Sequence, residues 1–415
     1  MGQQGNRNRY GSKKRQPSAN QKGGKPRHGG NRSKKPARKP SSLDPALLVK
    51  DAVISEQTKY RPKRRINELP INDRLIQQLV KKGYEYPTEI QDKTLDRLLE
   101  GRNMLGIAQT GTGKTGAFLI PIIEQLLINK KKTCFALIVV PTRELAVQVS
   151  GEFKSMTAGL GLYSNCFIGG TNINKDLNVL KRDSQVTIAT PGRLLDLSSQ
   201  RAIDLRRFRV LVLDEFDRML DMGFAKEVDR IVGSMQNRKQ TMLFSATLDR
   251  SQQKKIDSVL HKPAVVKVAT GQTTTDQVQQ EVIKLKEGEN KFRMLTNLLA
   301  DPEFRKVILF DETKHRVNRL CGKLNKAGFK SVQIQGNKSQ NQRQKALNDF
   351  KQGKASILVA TDVAGRGIDV DDVTHVINYQ LPMTYDAYIH RIGRTGRAGK
   401  VGRAITFVDA IPENL

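Results

Sequence analysis

The sequence predicts an α/β protein of two parallel-sheet lobes in tandem, and three observations carry that expectation. Short apolar runs recur between amphipathic stretches of helical period, the pattern of strands that each feed a crossover helix. The series is interrupted once, at the polar, turn-rich stretch Gly-Gln-Thr-Thr-Thr-Asp of residues 271–276, and then resumes. The chain has 415 residues, 37% of them hydrophobic, which is enough to bury one large core or two ordinary ones.

Taken in order, residues 1–42 are rich in Gly, Asn, Gln, Ser, Pro, Lys and Arg and nearly empty of large apolar side chains. Burial there cannot offset the entropy of ordering, so a disordered basic arm is expected. Residues 43–65 read as an extension, with a short helix expected near residues 46–53. The first lobe spans 66–271, with strands expected at 103–107, 135–140, 186–189, 210–213 and 241–244. Residues 272–276 form a linker, and the second lobe spans 277–415, with strands expected at 307–310, 331–334, 357–360, 373–377 and 403–408.

Charge narrows the class of partner. The formal net charge is +31, and residues 1–43 contribute thirteen Lys and Arg and no acid, which leaves +18 on the rest. Such a balance points to a polyanion gripped through its phosphates. Aromatic residues make up 5% and Trp is absent, which argues for a grip on the sugar-phosphate backbone over base stacking. Cys134, Cys166 and Cys321 are scattered without CxxC spacing, so neither a zinc site nor a disulfide framework is expected. No apolar run approaches the roughly 18 residues of a membrane span, and the basic N-terminus lacks an apolar signal region. A cytoplasmic protein without a membrane partner is expected.

Two segments carry the chemistry. Ala108, Gln109, Thr110, Gly111, Thr112, Gly113, Lys114 and Thr115 follow an apolar strand and precede a helix. In that position backbone N–H groups and the positive helix end face phosphate oxygens, and glycines let the backbone close around them. Lys114 then meets the β and γ phosphates, and Thr115 offers a hydroxyl to Mg²⁺. About 100 residues later Leu-Val-Leu-Asp214-Glu215-Phe216-Asp217 reads as a buried strand delivering carboxylates at its end. A helix start also favours acids, so the second segment is informative mainly in company with the first.

Further motifs sit at the ends of the expected strands: Pro141-Thr142-Arg143-Glu144-Leu-Ala, Gly169-Gly170, Thr190-Pro-Gly192-Arg193, Ser245-Ala-Thr247, Gln340 to Arg343, Ala360-Thr361-Asp through Arg366 to Asp369, and His390-Arg-Ile-Gly-Arg394-Thr-Gly-Arg397. In this set and order the chain resembles the DEAD-box RNA helicases of superfamily 2 over about residues 66–408, and its second lobe is most similar to bacterial members. The resemblance implies two RecA-like lobes, ATP and Mg²⁺ as cofactors, and RNA, single-stranded or duplex, as a partner bound largely without reading sequence. Ribosomal or other ribonucleoprotein particles are the partners it suggests.

The resemblance also assigns roles. Gln91 would bond the adenine edge, a task that suits an amide able to donate and accept at once, and Tyr84 would stack on the base. Asp214 would hold Mg²⁺ through its water shell, Glu215 would orient and deprotonate the attacking water, and His390, Arg394 and Arg397 would complete the site from the second lobe. Asp369 is placed at the ribose. RNA would lie on Pro141, Thr142, Arg143, Gly170, Thr190, Gly192 and Arg193 of the first lobe, and on Gly336, Gln340, Arg343, Thr361 and Arg366 of the second. Ser245 and Thr247 would bond the segment of Asp214 and Asp217 and couple hydrolysis to lobe geometry.

The chain departs from the family pattern at three places. Phe216 stands where the family has a small Ala, Ile66 stands where an aromatic precedes the adenine segment, and the sequence reaches Leu415 where relatives continue into a helix. The expected activity is ATP-dependent RNA unwinding or particle remodelling; an ATP-gated RNA clamp or scaffold, and a DNA helicase, are the alternatives.

Overall fold

A computed structural model describes residues 43–52, 60–109, 111–129, 134–248, 250–268, 277–365, 368, 370, 372–396 and 401–409. The arm at 1–42 and the linker at 272–276 lie outside these residues, as do Thr110, Arg366, Asp369 and Arg397.

Seven strands build the first sheet: β1 (Met104–Ile107), β2 (Ala136–Val139), β3 (Ser164–Phe167), β4 (Val186–Ala189), β5 (Val210–Leu213), β6 (Gln240–Ser245) and β7 (Ala264–Lys267). They lie in the order β3-β4-β2-β5-β6-β1-β7, and every pairing is parallel. Strands buried on both faces are written as unbroken apolar runs, and β2, β4 and β5 are buried along their whole length. Alternate residues of such a run belong to different cores. Ile138 and Val212 join Phe118 and Phe153 on one face, while Leu137, Leu211 and Leu213 join Phe208 and Phe216 on the other. Ile66 is buried in the first of these cores.

Six strands build the second sheet: β8 (Val278–Lys284), β9 (Val307–Phe310), β10 (Ser331–Ile334), β11 (Ile357–Ala360), β12 (His375–Asn378) and β13 (Gly402–Val408). Their order is β10-β11-β9-β12-β13-β8, again all parallel. The same alternation sends Val307, Leu309 and Val359 to one core and Ile308, Phe310 and Leu358 to the other.

Three strands go beyond the sequence expectation: β3, β7 and β8. The helix expected near residues 46–53 is instead a single 3-10 turn, Pro45–Leu48, capped by the Asp44 carboxylate. Leu48 is fully buried with Val278, Tyr388, Ile392 and Ala404 of the second lobe, and Lys50 pairs antiparallel with Gln280 of β8.

Candidate functional site

The phosphate loop leaves β1 at Ala108, whose N–H donates to the Ser245 carbonyl at the end of β6 (3.0 Å). Gly111 and Gly113 both have φ near +90° (86° and 92°), a region that side chains with a Cβ rarely adopt. At Gly113 a Cβ would also run into Thr88 and Gln91. Lys114 begins the helix Lys114–Asn129, and its ammonium is buried, donating to the Ala108 carbonyl at 2.8 Å. Thr112 closes the loop by donating to the Gln109 carbonyl at 2.7 Å, while Gly111 is exposed. Thr115, one residue into the helix, is half-buried.

Gln91, on the helix Glu89–Leu99, is brought to this loop. Its amide donates to the Gly113 carbonyl at 3.0 Å and accepts the Thr88 N–H at 3.0 Å. Tyr84 is not joined to the loop by any such bond. It packs on the first-lobe core, and its hydroxyl donates to Glu152 (3.0 Å) on the helix Arg143–Met156.

Asp214 follows β5 and is 2% exposed. Burial pushes its carboxyl up to about 6, with the Lys114 charge opposing and the Glu215 and Asp217 carboxylates adding to the rise. Glu215 occupies a left-handed backbone conformation (φ 52°, ψ 51°) stabilised by its N–H donating to Asp214 Oδ1 at 2.9 Å, and its carboxylate is ion-paired with Arg218. Asp217 Oδ2 accepts the N–H groups of Ala246 and Thr247 and the Thr247 hydroxyl, each at 3.2 Å. Ser245 turns to its own segment and donates to the Thr247 carbonyl at 2.6 Å. The Ser-Ala-Thr segment is therefore tied to Asp217 through Ala246 and Thr247, and the Ser245 side chain only braces it.

The second lobe meets this group. A cavity of about 80 Å³ is lined by Gln109, Glu215, Asp217, Arg218, Ala246 and Thr247 from the first lobe, and by Ile389, His390, Gly393 and Arg394 from the second. Arg394 is 4% exposed and is oriented by donating to the His390 carbonyl (3.2 Å) and the Ile368 carbonyl (2.9 Å). Sequence reading did not single out Arg391. Its guanidinium grips both Asp362 oxygens (2.5 and 2.9 Å), Asn378 and the Gln380 carbonyl, locking the helix Tyr385–Ile392 to the ends of β11 and β12.

A second group gathers at the ends of β2, β3 and β4. Pro141 and Thr142 are buried, and Thr142 caps the helix Arg143–Met156. Arg143 lies so close under the exposed Gly170 that a Cβ there would strike its guanidinium. Thr190 accepts the Gly169 N–H at 3.3 Å, Gly192 is exposed, and Arg193 pairs with Asp176 while donating to the Thr171 carbonyl at 2.7 Å. From the second lobe Arg343 reaches Glu144, Nε to Oε1 at 2.7 Å, with both side chains buried. Burial lowers the Arg143 pKa, and the neighbouring charges of Arg343 and Arg193 lower it further. Gly336 is exposed, Thr361 is half-buried, and both polar atoms of the Gln340 side chain are buried without a hydrogen-bond partner.

Two triphosphate-site motifs at the strand ends of one sheet, faced by Arg394 of the second lobe, define a two-lobed α/β protein of the nucleotide-triphosphate class. Residues 88–256 match the family model for DEAD/DEAH box helicases, and residues 290–399 match the helicase conserved C-terminal domain. The DEAD-box ATP-dependent RNA helicase CshA of Geobacillus kaustophilus is 40% identical over 341 residues, 82% of this chain and 73% of the relative. CshA of Streptococcus pneumoniae is 42% identical over 346 residues, 83% of this chain. The chain spans 65% of the length of that relative. Among solved structures, S. cerevisiae Dbp5 bound to RNA and ADP BeF3 superposes with a TM-score of 0.74 at 30% identity, covering 84% of this chain and 90% of that one. Mss116p bound to ssRNA and AMP-PNP does so with a TM-score of 0.74 at 29% identity, covering 87% of this chain and 77% of that one. This chain belongs to the DEAD-box helicase family.

Proposed function

We propose that this protein is an RNA-stimulated ATPase that separates short RNA duplexes or remodels RNA–protein particles in the cytoplasm. The observation that carries this reading is the cavity that Glu215 and Asp217 line together with His390 and Arg394. A general base and a transition-state arginine on different lobes meet only when the lobes are together, which makes hydrolysis conditional on closure.

ATP fits the glycine loop, where a backbone free of Cβ atoms leaves room for phosphates, and Gln91 stands beside it to read the base. Mg²⁺ fits the donor set at Asp214, a carboxyl raised chiefly by burial and close enough to Glu215 and Asp217 to feel both of their charges. Thr115 and Asp214 would hold it, and it would neutralise charge developing on the transferred phosphate. Glu215 takes the proton of the attacking water, Lys114 and Arg394 face the charge that spreads over the phosphate oxygens, and the Asp217 to Thr247 contact carries the event to the rest of the lobe. The surface of Arg143, Gly170, Arg193, Gln340 and Arg343 would take the strand, and the unsatisfied Gln340 amide is poised for a partner.

ATPase measured with RNA, with DNA of equal length and with neither tests the proposal, alongside Glu215→Gln. RNA should stimulate and DNA should not. The Gln variant should retain ATP and RNA binding while losing at least 10²-fold in kcat, because the amide keeps the shape and cannot accept the proton. Wild-type turnover in that variant would remove Glu215 from the mechanism, and a lack of RNA stimulation would remove the function.

A further inference from the structure

We infer that residues 43–50 form an intramolecular clasp that seats on the second lobe and gives the two lobes a second tether, limiting how far the site can open. The groove is specific. Leu48 has no exposed surface and sits among Val278, Tyr388, Ile392 and Ala404. The backbone is fixed as well: Lys50 N–H donates to the Gln280 carbonyl at 3.1 Å, and Gln280 N–H donates to the Lys50 carbonyl at 2.8 Å. The buried Tyr388 hydroxyl donates to the Leu48 carbonyl (3.4 Å) and to Gln280 Oε1 (3.0 Å). Tyr388 is on the helix Tyr385–Ile392, which also carries His390 and leads into Arg394.

Ten residues further on, the same segment is anchored to the first lobe. The Tyr60 hydroxyl donates to Asp92 at 2.6 Å, Lys63 N–H donates to the same carboxylate at 3.2 Å, and Arg64 grips both oxygens of Asp96 at 3.0 Å. Asp92 is the neighbour of Gln91 on the helix Glu89–Leu99. One chain segment thus ties the helix that carries Gln91 to the helix that carries His390 and leads into Arg394. The span from Lys50 to Tyr60 can reach at most about 35 Å when fully extended. The crossing from Lys267 at the end of β7 to Val278 at the start of β8 has a similar limit, about 38 Å. Two tethers of like length restrict the open ensemble more than one, so less entropy is lost when RNA and ATP bring the lobes together.

The test uses the full chain with Leu48→Asp, which buries a charge in the groove, Lys50→Pro, which removes the N–H that Gln280 accepts, and Leu48→Met as the conservative control. Hydrogen exchange at Lys50 and Gln280 reports whether the clasp is seated, and small-angle scattering of the nucleotide-free protein reports lobe separation. The two disruptive variants should exchange fast, broaden the distance distribution and raise the RNA concentration for half-maximal ATPase about three- to tenfold. The kcat at saturating RNA should stay within about twofold, and Leu48→Met should behave as the parent. Released amides with unchanged scattering and unchanged RNA dependence overturn the clasp, as does fast exchange in the parent protein. The kinetic arm rests on the proposed RNA-stimulated ATPase; the exchange and scattering arms do not. If RNA fails to stimulate the parent, the function falls while the clasp is still decided by the other two.

Discussion

Replacing Phe216 by Ala removes a phenyl ring with no exposed surface from the core that also holds Leu213, Met219 and Leu243. The ring lies beside the site in sequence, between Glu215 and Asp217, yet it faces the sheet and the helices packed beneath it. Its loss combines the transfer free energy of the ring with the cavity left behind, roughly 3 to 5 kcal/mol for a fully buried phenylalanine. For a lobe of this size each kcal/mol moves the melting temperature by about 2 to 4 °C, so a fall on the order of 10 °C is expected. Glu215 and Asp217 take their positions from backbone bonds and from the Ala246 and Thr247 donors, none of which involves the ring. Specific activity of the folded fraction should therefore survive. Thermal unfolding and RNA-stimulated ATPase on one preparation check both halves, and an unchanged melting temperature with an altered kcat would refute the packing account.

Arg394→Ala should suppress RNA-stimulated hydrolysis by about 10³-fold, on the order of 4 kcal/mol, while ATP affinity is kept; equal losses in both would place the residue in ground-state binding. Deleting residues 1–42 removes thirteen positively charged side chains, so RNA affinity should fall and its salt dependence flatten with kcat at saturation preserved; a large fall in kcat would make the arm part of the catalytic fold. His375 stacks on Phe304, and burial, helped by the Arg403 charge, lowers its pKa to about 4. Its folded pKa lies below the unfolded value near 6.5, so the unfolded chain binds the extra proton and second-lobe stability is lost as pH falls through that window, by at most about 2 kcal/mol between pH 7 and pH 5. Urea midpoints at the two pH values, with His375→Gln as the variant in which the dependence disappears, decide this.

The strands most legible in the sequence are those apolar from end to end, such as Ala136–Val139, Val210–Leu213 and Val307–Phe310, because a strand covered on both faces has no solvent side to dilute the signal. The three that sequence reading passed over have polar faces. Ser164–Phe167 and Val278–Lys284 are only partly buried, and Ala264–Lys267 alternates buried and exposed at the edge of its sheet. The phosphate loop and the Asp214 segment were legible since their chemistry is local in sequence. Arg391 with Asp362, and Arg343 with Glu144, were not, because each bond joins residues 29 and 199 positions apart with nothing local to mark it. Arg343 was expected to touch RNA, and what the fold adds is that Glu144 holds it at the first lobe.

The charges of Arg343 and Arg193 both reach Arg143, and the carboxylates ion-paired with Arg343 and Arg193 are Glu144 and Asp176. These five groups are three cations and two anions, so the cluster around the Arg343–Glu144 contact between the lobes carries a positive excess. Drawing the lobes together in the absence of a strand therefore brings like charges into a poorly hydrated seam, at an electrostatic cost. A phosphodiester laid across the seam reverses the sign of that cost. Under the proposed function, dependence on RNA would need no separate sensing element, since this positive excess would disfavour the empty closed form. Added salt should relax the bias from both sides, easing closure of the empty protein while weakening its hold on the strand.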